Sequence, residues 1–201
     1  MKWDFFIFET VKTNIMKEKI RCKWCVGIDI YEKYHDDEWG VPVYDDQKLF
    51  EFLILETFQA GLSWITILKK RENFRLAFDD FNYSKVALYS EEKIQELMQN
   101  TGIIRNKLKI RSAVSNAISF MKIQEEFGSF SKYIWRFVDE KPVINYPKTL
   151  KEVPATTPLS DTISKDLKKR GFKFVGSTVV YAHIQATGMV NDHVEDCWKR
   201  S

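Results

Sequence analysis

Four residues near the two ends of this 201-residue chain offer its most specific ligand chemistry. The chain has three Cys and three His, and two of each are placed this way: Cys22 and His35 early, His193 and Cys197 late. Thiolate sulfur and imidazole nitrogen are zinc donors, and a Cys₂His₂ set makes a closed tetrahedral site, structural rather than catalytic. His193 and Cys197 are spaced i, i+4, so one turn of helix would put both side chains on one face. Such a site would staple the amino end of the domain to its carboxyl end. Taken alone, a His-x₃-Cys pair is more often two ordinary residues near a chain end. Cys25 makes a C-x-x-C with Cys22, so it either ligates in place of Cys22 or takes part in thiol redox chemistry.

A second constellation is aromatic. Trp24, Tyr31, Tyr34 and Trp39 lie close to the early ligand pair, and Trp64 follows Glu56 across a break at Gln59-Ala-Gly-Leu-Ser63. Glu56 sits among Leu55, Thr57 and Phe58, where burial without a partner would be costly. Two readings are open. Glu56 occupies the solvent face of its helix and the rings are core, or the carboxylate faces an aromatic box. Such a box would hold a flat cationic heterocycle by stacking and cation–π attraction.

The elements that must position these residues read as helices almost throughout. Asp45 or Asp46 can cap a helix with apolar positions Leu49, Phe50, Leu53, Ile54 and Phe58, and Ser63 can cap the next. Ser90 starts another, and the stretch from Asn106 to Glu126 is long and amphipathic. A short aromatic helix follows from Phe130 to Phe137. Pro142, Pro147, Pro154 and Pro158 mark a loop region. No period-two run is long enough to claim a sheet, so the fold class is all-α. Ser160 to Thr187 reads as helix, short hairpin, helix: Gly171 can end the first helix and Gly176 can open the second. Backbone N–H groups there favour an anion, and Lys165, Lys168, Lys169, Arg170 and Lys173 surround it. This arrangement suits a DNA phosphate without reading sequence, and it also fits a solvated basic face. The basic stretch from Arg105 to Arg111 either extends that patch or solvates a helix.

Composition narrows the class. Apolar residues are 44% and charged residues 29%, as in a globular protein, and the net charge of +3 is too small to act globally. Three Cys cannot all pair, which favours free thiols in a reducing cytoplasm. No apolar run reaches the length of a membrane span. Residues 1–20 read as an extension of uncertain status. Phe5-Phe-Ile-Phe8 lacks the order of a secretory signal, and Met16 offers a second start point.

Several stretches together resemble the bacterial 3-methyladenine DNA glycosylase I family, a branch of the helix-hairpin-helix DNA glycosylases. They are Arg21-Cys-Lys-Trp24, Tyr34-His-Asp-Asp-Glu-Trp-Gly-Val-Pro42, Gln59-Ala-Gly-Leu-Ser-Trp64, Leu68-Lys-Lys-Arg-Glu-Asn-Phe74, Gly102-Ile-Ile-Arg105, Leu167-Lys-Lys-Arg-Gly-Phe-Lys-Phe-Val-Gly176 and Gly188-Met-Val-Asn-Asp-His193. They run in order from Arg21 to about Cys197.

The resemblance implies a monofunctional enzyme that removes 3-methyladenine from alkylated double-stranded DNA and leaves an abasic site. It implies a single compact domain over residues 21–201, made of two helical lobes, with the helix-hairpin-helix at about 160–188, acting as a monomer. By matching position, Cys22, His35, His193 and Cys197 hold one structural zinc ion, and Cys22 is favoured over Cys25. Glu56 recognises the flipped base, Tyr34 and Trp64 line its pocket, and Trp24, Tyr31 and Trp39 stand close by. Lys169, Arg170, Gly171, Lys173 and Gly176 anchor DNA, with Leu62 as the wedge that fills the gap left by the base. Asp192 follows the hairpin where related glycosylases carry a catalytic Asp. It is assigned a structural role here, with the catalytic alternative open. No lysine nucleophile is implied.

Overall fold

Side-chain caps fix where many of the helices begin. In the computed structural model, which describes residues 19–200, the order is α1 (Asp29–Asp37), α2 (Asp46–Gln59), α3 (Trp64–Ala77), α4 (Tyr83–Val86), α5 (Glu91–Gln99), α6 (Lys107–Phe127), α7 (Phe130–Trp135), β1 (Val143–Ile144), α8 (Pro158–Lys169), α9 (Ser177–Ala186) and β2 (Val190–Asn191). The extension expected over residues 1–20 lies, except for its last two residues, outside the described residues. Asp45, Asn82, Ser90, Asn106, Ser129 and Thr157 each accept a hydrogen bond from a backbone N–H of the first turn they open.

Some expected boundaries shift for identifiable reasons. Asp46 does not cap its own helix. Its carboxylate accepts from the backbone N–H groups of Phe130 and Ser131 and from Gln124, so it secures the start of α7 from across the domain. Ser63 precedes α3 without a side-chain cap, because its hydroxyl pairs with that of Thr66. α8 begins earlier than Ser160: Thr157 and Ser160 form a capping box, with Pro158 in the first turn. α1 and α4 had no clear periodic signal. The fold is helical as expected, with one addition. β1 and β2 form a parallel ladder, Val143 opposite Val190 and Ile144 opposite Asn191, too short to leave a period-two pattern.

α2 runs through the centre. Every residue from Leu49 to Phe58 is buried, so the helix has no solvent face over that span. Phe50 packs edge-on against Phe120 of α6, and Phe58 against Phe74 of α3, with ring centroids 5.1 and 4.8 Å apart. Phe120 in turn stacks on Phe130 of α7 at 4.1 Å. Two carboxylates, Glu51 and Glu56, lie on this buried helix.

The α8–α9 hairpin is clipped to α6 by one side chain. The buried Asn116 accepts from the backbone N–H of Lys173 at 2.8 Å and donates to its carbonyl at 3.1 Å. Ser164 donates to the Val175 carbonyl at 2.6 Å, and the hydroxyls of Ser160 and Ser177 pair at 2.7 Å. After α9 the chain passes directly against the segment that follows α1. A Cβ at Gly188 would stand 2.3 Å from the Val41 carbonyl carbon, so only glycine fits this crossing.

Lys109 corrects the reading of the stretch from Arg105 to Arg111 as a patch or a solvated face. Its ammonium is buried and donates to the carbonyls of Phe58 and Ala60 at 2.9 and 2.6 Å. These are carbonyls at the end of α2, where a cation is favoured by the helix dipole. Lys109→Met keeps the stem and removes both bonds. Urea denaturation should show a loss of about 2 kcal/mol, and an unchanged midpoint would refute the capping role.

Candidate active site

Four helices and the segments flanking them converge on one small cavity. α1 contributes Tyr31 and Tyr34, its flanks contribute Trp24 and Trp39, α2 contributes Glu56 and Gln59, α3 opens with Trp64, and α9 closes the far side with Ala182 and Gln185. The volume is about 150 Å³, well below the roughly 300–1,000 Å³ of drug-sized pockets. The Tyr34 and Trp64 rings lie 5.3 Å apart, Trp24 meets Tyr31 edge-on at 4.9 Å, and Trp24 meets Trp39 at 5.2 Å. Thus all five aromatic residues singled out in the sequence meet at one cavity. The alternative of a solvent-facing Glu56 is excluded, since its exposure is only 3%.

The polar atoms at the cavity wall are unsatisfied. Among the described residues, Glu56 Oε2 and Trp64 Nε1 are buried without a partner. Such orphans are rare in folded proteins, and two at one cavity wall mark it as a candidate binding site. Burial alone pushes the Glu56 carboxyl up to about 8. Tyr34 is raised as well, first by burial and then by the Glu56 charge beside it. The cavity therefore combines a costly carboxylate, a free indole donor and aromatic faces. A flat cation with N–H donors satisfies the carboxylate and the rings, and an acceptor atom on the same ligand satisfies the indole N–H.

The metal-ligand set assembles behind this wall. One donor atom from each of Cys22, His35, His193 and Cys197 lies within 4.8 Å of the others, and all four residues are buried. Cys197 Sγ is 3.3 Å from His35 Nε2 and 3.4 Å from His193 Nδ1, and Cys22 Sγ is 3.7 Å from that Nδ1. The geometry of the late pair departs from expectation: residues 193–197 form a hydrogen-bonded turn, Cys197 N–H donating to the Val194 carbonyl, rather than a helical turn. The turn still brings both donors together. The other ring nitrogens already have outer partners. His35 Nδ1 is 2.9 Å from Asp36, and His193 Nε2 is 3.3 Å from the Trp39 carbonyl. Those contacts fix each ring in the tautomer that leaves its inner nitrogen free for a metal. Thiol-to-thiol hydrogen bonding is the largest influence on both sulfurs, and it pushes Cys22 up and Cys197 down. The donor set fits a tetrahedral divalent ion.

Two further groups complete the clamp. Arg21 grips Asp36 with two bonds of 3.0 and 2.8 Å, and Trp198 Nε1 donates to the same carboxylate at 3.3 Å. Gly40 lies against the site, where a Cβ would stand 2.9 Å from His193 Nε2. Cys25 is outside the cluster. Its thiol donates to the Cys22 carbonyl at 3.1 Å, and burial raises it to about 11.

Sequence reasoning missed Arg71. It is buried, and it donates to Glu51 at 2.6 Å and Glu38 at 2.8 Å. This ties the segment after α1 to α2 and α3. The clue was a cation in a stretch flanked by apolar residues, but its two partners are distant in sequence.

The hairpin cations do not all face outward. Arg170 pairs with Glu126 at 2.6 Å and Asp166 at 2.9 Å, and its guanidinium lies over Phe127 and Tyr133. It is committed to the fold, unlike the exposed Lys165, Lys168, Lys169 and Lys173. Gly171 turns the chain with φ of +95°, and a Cβ on Gly176 would meet nothing within 4 Å. Leu62 is exposed in the α2–α3 loop. It borders a second cavity of about 220 Å³, shared with Glu56 and with Thr178 and Val179 at the start of α9.

Comparison with known proteins agrees with this geometry. A family model described as methyladenine glycosylase matches residues 24–200. A protein of Escherichia coli (strain K12) named DNA-3-methyladenine glycosylase 1 is 49% identical over 177 residues, covering 88% of this chain and 95% of that one. A Haemophilus influenzae protein named DNA-3-methyladenine glycosylase is 48% identical, covering 88% and 96%. The fold superposes on a crystal structure of a 3-methyladenine DNA glycosylase I with a TM-score of 0.88 at 48% identity, covering 90% of this chain and all of that one. It also superposes on the Staphylococcus aureus 3-methyladenine DNA glycosylase I, from work on the structural basis of 3-methyladenine recognition, with a TM-score of 0.87 at 37% identity, covering 90% and 96%.

The raised Glu56 carboxyl carries a signed consequence. The folded state holds its proton more tightly than the unfolded chain, so stability is lost as pH rises from the ordinary value near 4.5 to about 8. Glu56→Gln removes the titration. Its melting temperature should match the parent at pH 4.5 and exceed it by about 5 °C or more at pH 8.5. A difference that stays flat across this range would mean the carboxylate is solvated.

Proposed function

The chain belongs to the methyladenine glycosylase family, and from that premise we propose that it is a monofunctional 3-methyladenine DNA glycosylase. It hydrolyses the N-glycosidic bond of 3-methyladenine in alkylated double-stranded DNA, releases the free base and leaves an abasic site. The observation that carries this reading is the unpartnered Glu56 carboxyl buried in a ring-lined cavity.

The chemistry follows from the substrate. Methylation at N3 makes the adenine ring cationic, which weakens its bond to the sugar. The enzyme has to extrude the nucleotide, hold the cationic base apart from the duplex and admit water to the sugar carbon. Glu56 accepts a hydrogen bond from the exocyclic amine, and its charge favours the methylated ring. The base cation in turn favours ionised Glu56. Tyr34 and Trp64 bind the base faces and edges, with Trp24, Tyr31 and Trp39 closing the pocket. Departure of the base as a neutral purine needs no lysine nucleophile, so the strand is not cut.

On the DNA side, the start of α9 takes a backbone phosphate through its N–H groups, with Gly171 and Gly176 shaping the approach. Lys169 and Lys173 supply the charge, and Arg170 holds the hairpin in shape. The open space outside Gly176 supports close contact there. Leu62 fills the stack vacated by the base, which its exposure beside the α9 start supports. Cys22, His35, His193 and Cys197 hold one zinc ion, whose role is structural: a closed tetrahedral site with no position left for substrate. The chain acts as a single domain of two helical lobes, as a monomer. Its three free, buried thiols suit the cytoplasm.

Two outcomes test the reading. Glu56→Ala and Trp64→Ala should each abolish release of free 3-methyladenine from methylated DNA while duplex affinity stays within about threefold, since phosphate contacts dominate binding. Tight duplex binding by a parent protein that releases no base would leave a DNA-binding module instead. For the clamp, elemental analysis should find one zinc per chain, and Cys197→Ser should lose it and melt lower. Unchanged metal content in that variant would refute Cys197 as a ligand.

A further inference from the structure

Asp192 follows the hairpin and adjoins a ligand of the metal cluster, but its contacts point toward the pocket. It is 2% exposed. One of its oxygens accepts from the Tyr181 hydroxyl and from Gln185 Nε2, both at 2.6 Å, and the other accepts from Asn145 Nδ2 at 2.7 Å. Both oxygens have partners within the fold, which favours a structural role for Asp192.

The same contacts fix the polarity of a neighbour. The Gln185 amide nitrogen is the atom that meets Asp192, so its NH₂ group is turned toward that residue. The amide oxygen is then the end left over. Gln185 is half-buried and lines the cavity that holds Glu56 and Trp64. Among the described residues nothing donates to its oxygen, and that oxygen is not one of the buried orphans, so it stays open. Its backbone carbonyl also accepts from Gly40 N–H at 3.1 Å, which ties α9 to the segment carrying Trp39.

We propose that Gln185 is a second recognition group for the excised purine, presenting its amide oxygen to the base, and that Asp192 is the positioning residue that sets this orientation. The proposal rests on the glycosylase reading. An oxygen-first amide turns the negative end of its dipole toward a cationic ring and its N–H donors. The same oxygen repels the ring-nitrogen lone pairs of an unmodified purine. Such an arrangement selects by attraction and by repulsion together.

The test uses three variants and two readouts of base handling. Gln185→Leu removes the oxygen and leaves the Tyr181 and Asn145 bonds to Asp192 in place. Asp192→Asn lets the Gln185 amide reverse. Asn145→Ala removes one support of Asp192 without touching Gln185. Titration of free 3-methyladenine, followed by tryptophan fluorescence, should show affinity falling about tenfold in the first two variants. Their preference for 3-methyladenine over adenine should narrow, and KM for base release should rise more than kcat falls. Asn145→Ala should melt lower yet keep the parent's base affinity. Parent-like affinity and selectivity in Gln185→Leu overturns the recognition role, even if Asp192→Asn fails to fold. An Asp192→Asn variant that only melts lower, as Asn145→Ala does, overturns the positioning role. A parent protein that neither binds nor releases 3-methyladenine removes the functional reading and this proposal with it. A parent that does both, beside an indifferent Gln185→Leu, removes only this one.

Discussion

The structure depends on how a central helix with no solvent face accommodates two carboxylates. Glu51 is met by Arg71, Arg75 and Lys48 within 2.6 to 3.4 Å, so its burial is compensated and it binds α2 to α3. Glu56 stands on the same helix with no compensation. An uncompensated carboxyl of this kind is held in place by its surroundings, since the residue alone would seek water. The Lys109 cap at the end of α2, the Arg71 bridge at its side and the aromatic stack over its last turn are those surroundings. A proton offsets the cost of that burial, which is why burial pushes the Glu56 carboxyl up to about 8.

The metal-ligand cluster belongs to the same arrangement. Trp39 packs edge-on against His193 at 4.6 Å, and Trp24 lies 5.5 Å from His35, so two pocket rings rest directly on the two His rings of the cluster. Arg21, Asp36 and Trp198 add a polar clasp around it. Pocket geometry is therefore coupled to the joining of the two chain ends. Every one of these groups comes from the first or last stretch of the described chain. Part of the pocket wall thus packs on a residue of the carboxyl end.

The hairpin follows a different logic. Its shape comes from backbone contacts to Asn116, Ser164 and Ser160, and from the ion pairs that hold Arg170 against α6. Its exposed lysines are left with no such duty. This separation of a rigid internal clip from a free basic surface suits a contact that reads phosphate spacing and ignores base identity.

Much of this was legible in the chain itself. Residue type and spacing singled out the Cys and His donors but left Cys25 open beside Cys22, and the structure places Cys25 outside the cluster. The rarity of Trp and the oddity of a Glu in an apolar run marked the pocket. Helix starts at Asp45, Ser90 and Asn106 were readable because a cap is a local hydrogen bond. Other features depend on partners far away in sequence, and no local pattern can announce them. Asp46 secures α7, Lys109 ends α2, Arg71 joins Glu38 to Glu51, and Arg170 turns inward. The sequence determined which groups were present and which helices would carry them. Only the tertiary structure decided which charges were neutralised, which were left bare beside the cavity, and which way the Gln185 amide faces, because those outcomes depend on distance and burial between elements that meet only on folding.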